Sequence, residues 1–381
     1  MKRLICVGLA LLTAVMMAVP AQGATIQLSA PSAILIDQAT GTVLYEENAH
    51  ERLAPASVTK VMTLLLVLEA LDQGRIGWDD QVIASAAAAG KGGSQIYLEE
   101  GEQMPLRDML KSVVVSSAND CATALAEHVA GSEAAFVEQM NRRAAELGME
   151  DTHFVNCTGL DDGAEAGEHL TSAYDIALMS RELLNHDEIR EYTTIWMDTV
   201  RNGTFGLSNT NKLVRFYAGT TGLKTGYTSG AGYCLSASAM REDMELIAVV
   251  MHCASSTDRF ESAKALLDWG FANYCLVTPV LEDQTLAVPV LLGTDAQIFP
   301  VLDRADPVLL EKSLKNQVTQ TVELEEEVTA PVEAGQQLGT VTLRSGDQVL
   351  GTIPLVAPAQ VARLTWWQLV GRLWKTLCCA G

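Results

Sequence analysis

The chain has 381 residues, 48% hydrophobic and 19% charged, and carries a net charge of −21 at pH 7. That length suffices for two domains with separate cores, and the composition is globular rather than disordered. The acidic balance excludes nucleic acid as a partner, because no basic stripe is available to neutralise phosphates, and it fits a body kept monomeric by self-repulsion.

The first segment reads as an export signal. Lys2 and Arg3 precede an apolar stretch from Leu4 to Val19, and Ala21-Gln22-Gly23 supplies the small residues that a signal peptidase needs. Cleavage after Gly23 would place the mature body outside the cytoplasmic membrane; an uncleaved membrane anchor is the competing reading.

Residues 34–45 predict a hairpin that turns at Thr40-Gly41. Ala54-Pro55-Ala56 leads into Ser57, and Val61 to Leu71 is a run of apolar helix formers ended by Asp72-Gln73-Gly74. It predicts a buried central helix, too short to span a bilayer, with Ser57 in its first turn. Further helices are predicted over 105–116, 119–131, 133–147, 172–185 and 258–273, and strands over 222–228, 231–240 and 244–252. Strands at both ends around a helical middle predict an α/β (α+β) fold, one antiparallel sheet closed by both chain ends against a helical cluster.

The pattern changes after Tyr274. Short β-branched runs with frequent Gly and Pro predict a small all-β domain, and the last stretch changes again. There Arg363, Arg372 and Lys375 alternate with Leu364, Trp366, Trp367, Val370, Leu373, Trp374 and Leu377 at helical spacing. A basic, Trp-rich amphipathic helix suits a membrane surface; the competing reading docks it on the protein's own core. The predicted organisation is a signal peptide at 1–23, an α/β (α+β) domain at 24–275, an all-β domain at 276–360 and an anchoring helix at 361–381. Cys121, Cys157, Cys234, Cys253 and Cys275 show no metal-ligand spacing, so neither metal nor cofactor is expected; they read as small buried hydrophobes, with room for one disulfide. Cys378 and Cys379 at the end raise the idea of lipidation.

Three short motifs carry the chemistry. Ser57-Val58-Thr59-Lys60 offers a nucleophile and, three residues on along a helix, a lysine able to take its proton if burial lowers its pKa. Ser117-Ala118-Asn119 offers a hydroxyl relay and an amide for the substrate, although both residue types also cap helices. Lys224-Thr225-Gly226 lies in a strand, where the glycine lets a substrate backbone approach and the lysine and threonine address a carboxylate. Any one of these recurs by chance; the ordered set has the parts of a serine acyl-transfer site.

With its flanking residues the set resembles the D-alanyl-D-alanine carboxypeptidases of the low-molecular-mass penicillin-binding proteins. Arg52 to Thr63, Ser117-Ala118-Asn119-Asp120, Thr158-Gly159-Leu160-Asp161 through His169-Leu170-Thr171-Ser172, and Gly222 to Thr228 followed by Ala231-Gly232-Tyr233 resemble the family's site segments. Asp258-Arg259-Phe260, Trp269-Gly270-Phe271 and Pro331 to Gln336 extend the likeness along the chain. The resemblance implies a β-lactamase/transpeptidase-like domain in which Ser57 attacks the D-Ala-D-Ala carbonyl of a peptidoglycan stem peptide, Lys60 is the base, and Ser117 and Lys224 relay the proton. It implies an oxyanion hole from the N–H groups of Ser57 and Tyr227, a carboxylate held by Thr225 and Arg259, Asn119 on the substrate amide, and Gly226 lining the site. β-Lactams would acylate Ser57 likewise. The loop before His169 is long and acidic, so His169 is placed near the site without a catalytic role.

Three rivals share parts of this pattern. A class A-like β-lactamase needs a carboxylate base; Glu182 is the nearest candidate and has the wrong spacing. A peptidoglycan endopeptidase differs only in its leaving group. An idle wall-binding protein would have no use for Ser57, Lys60, Ser117, Lys224 and Thr225 together.

Overall fold

A computed structural model describes residues 26–161, 166–281, 287–304 and 306–379, so the predicted export segment lies outside the described residues. Period-two alternation of apolar side chains builds its centre. β1 (Ser32–Asp37) and β2 (Val43–Glu47) form the expected hairpin, and β3 (Thr220–Thr228), β4 (Gly232–Arg241) and β5 (Met244–Cys253) form a meander. They join into one antiparallel sheet in the order β2-β1-β5-β4-β3, with Leu35 opposite Ala248 and Thr225 opposite Leu235. Along β5, Ile247, Val249 and Met251 enter one core while Leu246, Ala248 and Val250 enter another, so both faces are covered.

The first face carries the helical cluster: α1 (Lys60–Asp72), α2 (Leu106–Ser116), α3 (Asn119–Ala130), α4 (Glu133–Glu146) and α5 (Ala173–Leu183). Buried from Lys60 through Leu68, α1 is the central helix its composition predicts. α6 (Ser256–Asn273) covers the second face. It lies close because residue 270 is glycine: a Cβ there would stand 2.5 Å from Leu246 Cδ1 and 2.8 Å from Leu35 Cδ2. Ser132, Ser172 and Ser255 cap α4, α5 and α6 by accepting a backbone N–H three residues on, which fixes where each begins.

Beyond α6 the strand Tyr274–Val277 pairs with Val308–Glu311 and straddles the predicted domain boundary. β6 (Val318–Leu324), β7 (Gln337–Ser345) and β8 (Gln348–Val356) form an antiparallel sheet with Val301–Leu302 outside β8. A separate small core gathers Val288, Val290, Val332, Leu338 and Val361. α7 (Trp366–Cys379) follows, with Trp366, Trp367 and Trp374 exposed. Arg372 donates to the carbonyls of Gly293 and Thr294. The side chains of Leu373 and residues 375–379 lie outside the described residues, as does the lipidation idea for Cys378 and Cys379. Among the described residues, no helix is long and apolar enough to cross a membrane.

Three details differ from expectation. Ser57 sits in a 3-10 turn, Ala56–Thr59, that feeds α1 and is not part of it. The paired strands Gln81–Ile83 with Gln103–Pro105, and Met197–Val200 with Phe205–Ser208, were not foreseen, since three or four residues are too few to display a period. The five described cysteines are free and buried, so the disulfide allowed for does not form among them.

Candidate active site

Residues three apart in a 3-10 turn nearly eclipse, and this is how Ser57 and Lys60 meet. Lys60 Nζ lies 2.8 Å from Ser57 Oγ and donates to the carbonyl of Thr158 at 2.8 Å. Ser57 is half-buried, whereas Lys60 is 0% exposed. Burial pushes the Lys60 ammonium down to about 7, against weaker opposing pulls from Cys157 and Asp120. At neutral pH a large fraction of this lysine is therefore an amine able to accept the Ser57 proton.

The floor beneath the turn explains its rigidity. Gly159 has φ +80°, and a Cβ there would stand 1.8 Å from the Ala56 carbonyl oxygen, so only glycine fits. His169 accepts the Val155 N–H at Nδ1 (3.0 Å), which leaves the proton on Nε2 to be donated to Thr59 Oγ1 at 2.7 Å. Thr59 Oγ1 in turn donates to the Ala56 carbonyl. Burial, with His153 and Lys60 adding to it, lowers the His169 pKa to about 4. The residue is a neutral buckle under the nucleophile turn.

Ser117 ends α2 in the left-handed region at φ +62°, and α3 starts two residues later. Its Oγ and the Oδ1 of Asn119 are buried with no hydrogen-bond partner among the described residues. Such atoms are costly unless something arrives to meet them. Asn119 Nδ2 donates to the Gly92 carbonyl at 2.7 Å, and the buried Asp120 carboxylate accepts the N–H groups of Ile96 and Leu98. The second motif thus holds the 92–98 loop.

β3 is the outer strand of the sheet on that side. Lys224 is buried, and its Nζ donates to the Thr225 carbonyl at 2.9 Å. Burial, then the positive charges of Lys60 and Arg259, hold its pKa well below the lysine range. Thr225 Oγ1 donates to Thr210 Oγ1 at 2.6 Å. Gly226 passes directly over the nucleophile turn, and the exposed Tyr227 ring stacks on Tyr233 at 4.3 Å. Arg259 stands behind the strand: one Nη1 donates to the carbonyls of Gly226 (3.0 Å) and Cys234 (3.3 Å), and its buried Nε has no partner among the described residues. Its guanidinium is thus engaged with backbone carbonyls and Ser256 Oγ and forms no ion pair among the described residues.

The three motifs therefore converge on one cleft, with Tyr227 at its rim, His169 beneath it and Arg259 behind it. Thr158, whose carbonyl holds Lys60, and Asp120, which organises the loop, stand in segments that resemble the family's site, but no role for either is legible in the sequence. No group of side chains suited to a metal occurs among the described residues. Glu182, the lactamase candidate, binds Arg143 at 2.6 Å and accepts from Asn185.

Residues 16–255 match the family described as D-alanyl-D-alanine carboxypeptidase, and residues 276–363 match the penicillin-binding protein 5 C-terminal domain. The D-alanyl-D-alanine carboxypeptidase DacF of Bacillus subtilis is 43% identical over 334 residues, covering 86% of this chain and 85% of that one. The structure of penicillin-binding protein 5 from Haemophilus influenzae superposes with a TM-score of 0.74 at 30% identity, covering 88% of this chain and 98% of that one. Penicillin-binding protein D2 of Listeria monocytogenes in its cefotaxime-bound form superposes at 0.60 with 32% identity, covering 65% of this chain and 99% of that one.

Proposed function

The chain belongs to the D-alanyl-D-alanine carboxypeptidase family, and from that premise we propose that Ser57 is the nucleophile with which it removes the terminal D-alanine of peptidoglycan stem peptides. The observation that carries the assignment is the 2.8 Å approach of the buried Lys60 Nζ to Ser57 Oγ.

Ser57 Oγ attacks the carbonyl carbon of the penultimate D-alanine as its proton passes to the neutral Lys60 amine. The Ser57 and Tyr227 N–H groups receive the oxyanion, which is the preorganised stabilisation such a step needs. The peptide C–N bond then breaks, and Ser117 with Lys224 passes a proton to the leaving D-alanine nitrogen. Water hydrolyses the ester and regenerates Ser57. The orphaned Ser117 Oγ and Asn119 Oδ1 find partners in the relay and the substrate amide. Thr225 addresses the terminal carboxylate; Arg259 supports it from behind β3 through the Gly226 carbonyl and its own positive field. His169 positions the turn and touches no substrate.

β-Lactams acylate the same serine, a reading supported by the cefotaxime-bound relative. The protein works on the outer side of the cytoplasmic membrane, where its substrate is. Residues 24–275 form the catalytic unit and 276–360 a β-rich spacer. The exposed indoles of α7 rest in the membrane interface. The test is release of free D-alanine from a stem pentapeptide and from a cross-linked dimer. Release from the pentapeptide alone fits the carboxypeptidase, and cleavage of the dimer alone would overturn it in favour of the endopeptidase.

A further inference from the structure

Tyr97 stands apart from the residues that build the cleft. It is 67% exposed, yet its backbone sits in the left-handed region at φ +60°, a conformation disfavoured for a bulky side chain. Glycine would adopt it freely. The backbone is pinned from both sides. Ile96 and Leu98 donate their N–H groups to the buried Asp120 carboxylate, and Arg201 donates to the carbonyls of Ile96 (2.7 Å) and Tyr97 (3.1 Å). Glu102 fixes Arg201 through Nε at 2.7 Å and Nη2 at 2.9 Å. All this leaves the ring standing in solvent, edge-on to Phe205 at 6.5 Å, while Arg201 lies 5.4 Å from the Phe205 centroid. Backbone strain held in place by its surroundings in this way clusters at functional positions.

The shelf adjoins the cleft. Ser94, three residues before Tyr97, accepts the N–H of Asn119 at 2.7 Å, and a Cβ on Gly93 would stand 2.8 Å from Asn119 Nδ2. The rim's charge is one-sided. Arg201 is neutralised by Glu102, whereas Glu99 and Glu100 are exposed and form no ion pair among the described residues. An aromatic face beside uncompensated carboxylates attracts a cation on an apolar stem. A neutral sugar ring would have no use for those carboxylates.

We propose that Tyr97 and Phe205 form an aromatic shelf that seats a polymethylene side chain tipped with an ammonium group, carried by the residue preceding D-Ala-D-Ala. This rests on the reading of the Ser57 cleft given above, in which Asn119 meets the substrate amide. Glu99 and Glu100 supply the field that draws in the ammonium.

The test compares D-alanine release from three peptides, Lys-D-Ala-D-Ala with its ε-amine free, the same peptide ε-acetylated, and Ala-D-Ala-D-Ala, each blocked at the α-amine. Wild type is expected to favour the free ε-amine. Tyr97→Gly, which removes the ring and relieves the backbone, should raise KM for that peptide about three- to tenfold. It should leave the alanyl peptide unchanged and the Tm no lower. Tyr97→Phe should keep the preference, and Glu99→Gln with Glu100→Gln should reduce it. A loss equal for all three peptides, or no loss, overturns the shelf. If wild type releases D-alanine from none of them, the reading of the cleft itself fails.

Discussion

Gly226 of the outer strand and Ser57 of the nucleophile turn approach so closely that a methyl group on the glycine would lie 3.1 Å from Ser57 N and 2.6 Å from the Pro55 carbonyl oxygen. This contact sets the distance between β3 and the N–H proposed for the oxyanion. Gly226→Ala should push the two apart. A displacement of about 1 Å can cost ~10²-fold in rate, so acylation by penicillin is expected to fall by about that factor while the far-ultraviolet circular dichroism stays unchanged.

The depressed pKa of Lys60 predicts a pH profile. Only the neutral amine accepts the Ser57 proton, so the acylation rate should rise as pH increases through about 7 and then level off. Lys60→Arg, permanently charged, should lose ~10²–10⁴-fold in acylation at all pH values. A rate in wild type that is flat from pH 5.5 to 8.5 would contradict the assignment of Lys60 as base.

Burial of Lys60 also has a stability consequence of definite sign. Between about pH 7 and the ordinary lysine range the unfolded chain binds a proton that the folded one does not, so stability should rise with pH across that window. Lys60→Met lacks the charge and should show a flatter urea midpoint over the same range.

His169 gives the matching effect in acid. Its folded pKa of about 4 lies below the ordinary histidine value, so the unfolded form takes up a proton that the folded form does not. The contribution of neutral His169 is complete above the ordinary value and is lost as pH falls toward about 4. His169→Ala should cost about 1–3 kcal/mol at pH 7 by orphaning the Val155 N–H and Thr59. Its stability should then depend less on pH between 6.5 and 4 than that of wild type.

Deleting residues 365–381, which leaves Val361 in the small core, removes the exposed Trp366, Trp367 and Trp374. The truncated protein is expected to stay in the supernatant with anionic vesicles that pellet the full-length chain, and to hydrolyse a soluble peptide at an unchanged rate. Sedimentation with the vesicles despite the deletion would argue against α7 as the anchor.

Much of this was legible because it is local. The apolar run from Val61 to Leu71 forms α1, and the strands predicted over 222–228, 231–240 and 244–252 form β3, β4 and β5 to within two residues. Ser57 and Lys60 meet because residues three apart in a tight turn must. What was hidden depends on contacts between distant segments. Nothing near Arg259 tells that its guanidinium lies under the carbonyls of Gly226 and Cys234. Nothing near Glu245 tells that its buried carboxylate takes Arg190 and Thr221 and so ties down the start of β3. Tyr97 gives no sign of its left-handed backbone, because Asp120 and Arg201 impose it from elsewhere in the chain.

The most direct test of the central claim pairs intact-mass measurement after exposure to benzylpenicillin with D-alanine release from a stem pentapeptide, for wild type and Ser57→Ala. Wild type should gain one penicilloyl group on the peptide containing Ser57 and release D-alanine, and Ser57→Ala should do neither while remaining folded. An adduct on another residue, or D-alanine released at the wild-type rate by Ser57→Ala, would contradict the account.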